Sequence, residues 1–214
     1  LGQPLRLVGE RESVSGRHAL SDSELVGALR AHDASAPGIL WERHSPAVRR
    51  LLARALGPGH DVDDLTQEVF LRVFARLSNL REPSALRPFI LSVAANVLRG
   101  ELRRRWLGRW LRLSDTGTLP EIAGARDDVE ARQALRRCYA IFDRLTAKER
   151  IAFVLRYMEG MTVHEVAATL AVSPSTAKRW VNRGAARVAE QVARDPGLRA
   201  FFGQSGEEDA AHEP

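Results

Sequence analysis

Between Gly108 and Asp128 the chain loses its helical rhythm. The stretch "LSDTGTLPEIAGARDD" mixes Gly, Pro, Ser, Thr and Asp with little periodic apolar content, the composition of a linker. On both sides of it apolar residues recur at helical spacing, and few segments alternate at two residues. The expected fold is therefore all-α, without a sheet, and is split into two small helical domains joined by a flexible linker. The chain has 214 residues, enough for two modest cores. The expected layout is an N-terminal arm over 1–19, a helical domain over 20–107, the linker over 108–128, a second helical domain over 129–196 and an acidic tail over 197–214. The arm and the tail, which ends "GQSGEEDAAHEP", carry too little periodic apolar content to demand order.

Local signals place the helix boundaries. "SDSE" at Ser21–Glu24 is a capping box that opens a helix. Breaks are expected at "APG" (Ala36–Gly38), "GPGHD" (Gly57–Asp61) and "NLREPSALRP" (Asn79–Pro88). In the second block, Thr146–Glu149 and Thr162–Glu165 are two more capping boxes, and Gly160 between them suits a left-handed helix stop.

Composition excludes several classes. The longest apolar runs are a few residues, well short of the roughly 18 that a membrane span needs. The N-terminal stretch "LGQPLRLVGERESVSGR" has no apolar core of a secretory signal. One cysteine, Cys138, rules out an internal disulfide framework and a cysteine-based zinc site, fits a cytoplasmic setting, and reads as a small apolar residue. Net charge is +5, and all but Lys148 and Lys178 of the 32 basic residues are arginine. Where those arginines fall matters more than their number.

"TVHEVAATLAVSPSTAKRWVNRG", Thr162–Gly184, has the layout of a helix-turn-helix. A short helix carries Val163, Val166, Ala167 and Leu170 on one face. Ala171-Val172 forms the turn. Ser173 is a good N-cap and Pro174 a good first-turn residue for the next helix. On that helix Ala177, Val181 and Gly184 share one side, with Trp180 nearby. Ser175, Lys178, Arg179, Asn182 and Arg183 supply donors for phosphates and base edges on the other. A solvated basic face is the plainer reading of any one of these residues; the short helix and tight turn before them favour DNA. His164 reads as a surface residue rather than a metal ligand.

The first block has a different character. "DVDDLTQEVFLRVFARL", Asp61–Leu77, opens with acids that suit the positive end of a helix dipole. Val62, Leu65, Val69, Val73 and Leu77 line a core side, with Phe70 and Phe74 at its edge. Asp64, Gln67, Glu68, Leu71 and Ala75 lie opposite. A leucine framed by acids and an amide suits a protein interface, and the acids would repel phosphate. In "RPFILSVAANVLRGELRRRWLGRWLR", Phe89, Ile90, Val93, Val97 and Leu98 supply a core stripe. Arg99, Arg103, Arg104, Arg105, Arg109 and Arg112 follow, with Trp106 and Trp110 interleaved, and only Glu101 opposes them. Arginines anchor phosphates and aromatics stack on unpaired bases, although packing is the plainer role for the tryptophans.

"LWERHSPAVRRLLARALGPGHDVDDLTQEVFLRVFARL" followed by "FILSVAANVLRGELRRRW" resembles the second conserved region of bacterial RNA polymerase sigma factors. "LTAKERIAFVLRYMEGMTVHEVAATLAVSPSTAKRWVNRGAARV" resembles their fourth region. Two such matches around a short linker resemble the extracytoplasmic-function group. The resemblance implies a promoter-specificity subunit with no catalytic residues and no cofactor. It implies that Asp64, Gln67, Glu68 and Leu71 dock on the β′ clamp helices of core RNA polymerase, with the fourth region on the β flap. It implies that the loop Ser78–Leu86, with Asn79 and Arg81, and the helix through Ala94, Asn96, Arg99, Arg103, Arg104 and Arg105 melt and read the minus-ten element of promoter DNA, where a base is flipped into a pocket. Ser175, Thr176, Lys178, Arg179, Asn182 and Arg183 match the helix that reads the minus-35 element. An anti-sigma factor is a further partner the family uses.

The chain departs from the family at the turn, where Ala171 stands in place of the common Gly, and at Ala177, Trp180, Asn182 and Gly100. Two other readings predict different behaviour. A conventional helix-turn-helix regulator would bind a palindrome without polymerase. A metal-dependent nuclease would use Asp61, Asp63, Asp64 and Glu68, but Asp63 and Asp64 point to different sides of one helix and no second carboxylate or histidine cluster accompanies them.

Overall fold

In the computed structural model, residues 20–57, 61–111 and 129–200 are described. The helices are α1 (Asp22–Arg30), α2 (Ala36–Leu56), α3 (Val62–Arg76), α4 (Leu86–Leu111), α5 (Val129–Phe142), α6 (Ala147–Phe153), α7 (Val163–Leu170) and α8 (Pro174–Arg194). Short 3-10 turns at Leu77–Asn79 and Pro83–Ala85 lead into α4, and a π-helical turn, Val154–Met158, continues α6. No strand forms among the described residues.

The capping signals act as the sequence predicts. Ser21, Thr146 and Thr162 each accept a hydrogen bond from the backbone N–H three residues on, and the carboxylates of Glu24, Glu149 and Glu165 accept one from the N–H of the cap residue. Ser173 caps α8 by accepting from the Thr176 N–H. Asp61 caps α3 by accepting from the Asp64 N–H at 3.1 Å. Gly160 is left-handed, with φ 72°.

Three boundaries differ from expectation. The first break falls before Ala36, because "APG" lies inside the first turns of α2. A proline in a first turn forfeits no helical hydrogen bond, so Pro37 starts the helix instead of stopping it. Helix α4 runs to Leu111, past the expected end at 107; one glycine, Gly108, costs about 1 kcal/mol and does not stop a long helix. Residues 196–200 form a further helical turn, and its Leu198 is wholly buried against Ala134 and Ile141. The tail expected from 197 thus starts inside an ordered turn. The arm over 1–19, most of the linker (112–128) and the rest of the tail lie outside the described residues.

The first domain packs α1, α2 and α3 around α4. Leu40, Leu51, Leu52, Val69, Val73 and Ile90 are buried there. Phe70 is 2% exposed and packs against Trp41 with the rings tilted by 55° and their centroids 4.7 Å apart, so it belongs to the core rather than its edge. Phe74, at 38% exposed, keeps the edge position. Thr66 is buried without cost because its hydroxyl donates to the Val62 carbonyl at 2.7 Å. In the second domain α6, α7 and α8 bury Ile151, Leu155, Val166, Leu170, Ala177 and Val181.

The two domains touch. Leu91, Ala95 and Leu98 of α4 are buried on a side turned away from α3, and the core they join is continuous with Ile151, Val166 and Ala167 of α6 and α7. A helix buried on two sides must have two partners.

Candidate protein and nucleic-acid interfaces

Helix α3 presents the acidic face. Asp64 and Gln67 are exposed, Glu68 is half-buried and Leu71 is 70% exposed. Glu68 accepts from Arg72 at 2.6 Å, one turn on. Asp63 points to the other side and pairs with Arg49 of α2 at 3.0 Å. Asp61 is spent on the helix cap. Among the described residues no group of histidine, cysteine and carboxylate side chains is placed to hold a metal ion.

Helix α4 divides its polar residues between two sides. Asn96 and Arg103 are exposed, and half-buried Arg99 donates to Asn96 Oδ1 at 3.1 Å. Ala94, expected on this reading face, is fully buried. The Arg99 Nε is buried with no hydrogen-bond partner. Arg104 and Arg105 turn the other way. Both bind Glu101, Arg104 at 2.6 Å, and they line one cleft with Asp61, Asp64 and Glu68. Glu101 is itself only 8% exposed, a buried carboxylate neutralised by two guanidiniums. The structure therefore groups Arg104 and Arg105 with the acidic start of α3, apart from Asn96, Arg99 and Arg103. Trp106 is 56% exposed and rims a cavity of about 400 Å³ between the end of α4 and the turn joining α5 to α6. The Arg109, Trp110 and Arg112 side chains fall outside the described residues.

The loop before α4 is pegged at its centre. Leu80 is buried, and its carbonyl accepts a hydrogen bond from Arg30 of α1. Asn79 and Arg81, on either side of it, are exposed.

Helix α8 presents Ser175, Lys178, Arg179, Asn182 and Arg183 to solvent, while Ala177, Val181 and Gly184 are buried. Thr176 is half-buried; its hydroxyl accepts from Ser173 at 3.0 Å. Trp180 packs partly on the core, with Lys148 Nζ 5.3 Å from its ring centroid. Arg187 is drawn back to Glu149 of the α6 capping box. His164 is exposed, and Cys138 is half-buried, its thiol pKa raised by burial first and then by Asp195. Hydrogen bonds from Thr162 hold the Glu165 carboxyl below the usual range.

Two features escaped sequence reasoning. One is the burial of Glu101. The other is Arg150, only 3% exposed, whose guanidinium reaches the carbonyls of Ala55 and Leu56 in the first domain. No local pattern marks its burial, because the two carbonyls it reaches are about ninety-five residues away, although Asp143, seven residues earlier, pairs with it at 2.6 Å.

No helix of the described residues is long and apolar enough to cross a membrane. Residues 40–108 match the family model for sigma-70 region 2, and residues 135–188 match that for sigma-70 region 4. The chain is 32% identical over 148 residues to the ferric citrate uptake sigma factor FecI of Escherichia coli K12, covering 66% of this chain and 82% of FecI. It is 29% identical over 174 residues to the extracytoplasmic-function sigma factor SigM of Mycobacterium tuberculosis H37Rv, covering 81% and 86%. Its fold is similar to that of CnrH, solved in complex with the cytosolic domain of CnrY, with a TM-score of 0.59 at 22% identity over 81% of this chain and 98% of CnrH. Two region models in order, with relatives that match across most of their own length, leave one conclusion: the chain belongs to the RNA polymerase sigma factors of the extracytoplasmic-function group, and is a subunit for transcription initiation.

Proposed function

We propose that this sigma subunit docks on core RNA polymerase through Asp64, Gln67, Glu68 and Leu71, the surface that would meet the β′ clamp helices, with the second domain on the β flap. The observation that carries this is Leu71, 70% exposed in the middle of an acidic face. A large apolar side chain framed by acids is suited to a desolvated protein contact and unsuited to phosphate.

Promoter DNA is read at two places. Lys178, Arg179, Asn182 and Arg183, with Ser175 and Thr176 at the start of α8, enter the major groove at the minus-35 element. Asn79, Arg81, Asn96, Arg99 and Arg103 hold the melted strand at minus-ten, where contacts to a flipped base offset the cost of unstacking it. Arg104 and Arg105 lie on the other side of α4, held by Glu101 beside the acids at the start of α3, and are left out of that site. The subunit works in the cytoplasm, catalyses no reaction itself and uses no cofactor. A protein that covers α3 would hold it inactive, which is how an anti-sigma factor would act on it.

Run-off transcription with purified core polymerase and a genomic fragment library tests this reading. Added protein is expected to yield new promoter-specific transcripts. The double variant Asp64→Arg, Glu68→Arg is expected to lose core binding while α8 still binds duplex. Unchanged core affinity in that variant would remove α3 as the docking face.

A further inference from the structure

Arg104 and Arg105 part company with the other polar residues of α4. Asn96, Arg99 and Arg103 recur at spacings of three and four and share one side of the helix. Arg104 is one residue on from Arg103, and one residue is about 100° of turn. Glu101 fixes it there. Its Oε2 meets Arg104 Nη2 at 2.6 Å, and its Oε1 accepts from Arg105 Nε at 2.5 Å. The carboxylate is 8% exposed, so both bonds are made away from bulk water, where charge-assisted pairs are strongest.

The tether leaves Arg104 usable. Its side chain is 78% exposed, whereas that of Arg105 is 26% exposed. A guanidinium carries five N–H donors in a rigid fork, and Glu101 takes up one end of this one. The rest borders a cleft of about 450 Å³ whose other walls are Asp61, Asp64, Leu65 and Glu68.

The charge of that cleft decides what Arg104 can meet. Its lining has four carboxylates, Asp61, Asp64, Glu68 and Glu101, against two guanidiniums. A cleft of this volume is about 8 Å across, no wider than the Debye length at physiological salt, so a phosphate on Arg104 would feel those acids almost unscreened. DNA offers only one sign of charge. A protein surface offers both, and can set a carboxylate on Arg104 and a basic group beside Asp64. Asp64 is the acid open to such a group. Asp61 caps α3, Glu68 pairs with Arg72 and Glu101 holds the two arginines, while the exposed Asp64 carboxylate has no partner among the described residues. The cleft is also continuous with the face that ends at Leu71. Asp64, Glu68 and Leu71 succeed one another at helical spacing over about 10 Å of α3.

We propose that Arg104 is a protein-docking residue: it extends the α3 face across the cleft to the end of α4 and pairs with a carboxylate of core RNA polymerase, and Glu101 is the residue that positions it. The proposal rests on the docking face proposed above. It adds one basic point to an acidic surface, and charges of both signs fix the register of docking, because a shifted alignment would bring like charges together.

The test uses the full chain and purified core polymerase, with core affinity measured by displacement of a labelled copy of the unmodified protein. Arg104→Glu is expected to weaken core binding on the order of tenfold at low salt, with the difference shrinking as salt is raised. Arg104→Ala, which removes a charge without adding one, is expected to lose less in the same direction. Once core polymerase is saturating, both variants are expected to bind a promoter duplex with the unmodified slope of log affinity against log salt. Glu101→Gln is expected to weaken core binding in the unmodified chain and to add no further loss to Arg104→Ala. Unchanged core affinity in both Arg104 variants overturns the proposal. So does a promoter affinity that falls at saturating core with the salt slope reduced by about one, which is the signature of a lost phosphate contact. Additive losses from Glu101→Gln and Arg104→Ala overturn the positioning role of Glu101. If Asp64→Arg, Glu68→Arg loses core binding and the Arg104 variants do not, the extension fails and the α3 face stands. If none of these variants alters core affinity, the docking face itself fails.

Discussion

Replacing Ala171 by glycine should stabilise this protein. Ala171 ends α7 in the left-handed region, at φ 53° and ψ 49°. Its N–H donates to the Ala168 carbonyl at 3.2 Å, and the N–H of Val172 donates to Ala167 at 3.0 Å. That pair of bonds is the Schellman arrangement, which glycine normally supplies. A residue with a Cβ pays roughly 1–2 kcal/mol in this conformation. Glycine removes that strain and gives back about 0.4–1 kcal/mol through a freer unfolded chain. Ala171 is exposed, so no packing is lost with its methyl. The net gain should be about 0.5–1 kcal/mol, or a melting temperature higher by roughly 1–4 °C. Thermal and urea unfolding monitored by circular dichroism would read it, with Ala171→Val as the opposite control, since a β-branched residue is worse still at positive φ. Affinity for a minus-35 duplex should not change, because the turn already has the geometry glycine would adopt. An unchanged or lower unfolding midpoint for Ala171→Gly would refute the account of the turn.

Gly184→Leu should separate α6 from α8: a Cβ at this position already sits 3.1 Å from the Glu149 carbonyl oxygen, so the variant should lose about 2–3 kcal/mol in urea unfolding and weaken duplex binding with it. His44 should make stability depend on pH. It is 6% exposed, its Nε2 has no hydrogen-bond partner, and burial, aided by Arg43 and Arg87 and opposed by Asp22, holds its pKa below 6.5. The unfolded chain binds the proton more readily, so stability is full above about pH 6.5 and falls as the pH drops through the folded-state value. His44→Gln should flatten the difference between urea midpoints measured at about pH 7.5 and about pH 5.5, and an unaltered difference would clear His44 of the effect.

The parts of this fold legible in the sequence are those decided within one turn of chain. Ser21, Thr146, Thr162 and Ser173 announce helix starts because a cap and its N–H are three residues apart. The split of α8 into Ala177, Val181 and Gly184 against Lys178, Arg179, Asn182 and Arg183 follows from periodicity alone. Periodicity puts Phe70 one step too far out, because an edge position on a helical wheel is filled by whatever lies beside it, here Trp41. The contact between domains stayed hidden for another reason. Its anchors are arginines bonded to backbone carbonyls about a hundred residues away, and a carbonyl has no residue identity to read. One signal was present: Leu91, Ala95, Leu98 and Leu102 add a second apolar side to α4, more than three packed helices could use. The candidate protein and DNA surfaces followed the same rule. Exposure of Leu71 and of the α8 donors came from periodicity, whereas the retreat of Arg104 and Arg105 onto Glu101 needed coordinates.

The hold of Arg30 on the Leu80 carbonyl has a thermodynamic consequence. Ordering a loop residue on binding costs about 1–2 kcal/mol of backbone entropy. With Leu80 buried and its carbonyl bonded, the segment bearing Asn79 and Arg81 meets its ligand with most of that cost already met during folding. If Asn79 and Arg81 hold the melted strand as proposed, helix α1, which makes no contact with the strand in that scheme, would set part of their affinity. Cutting Arg30 back to alanine would then weaken capture of single-stranded DNA without touching a single nucleotide-facing atom.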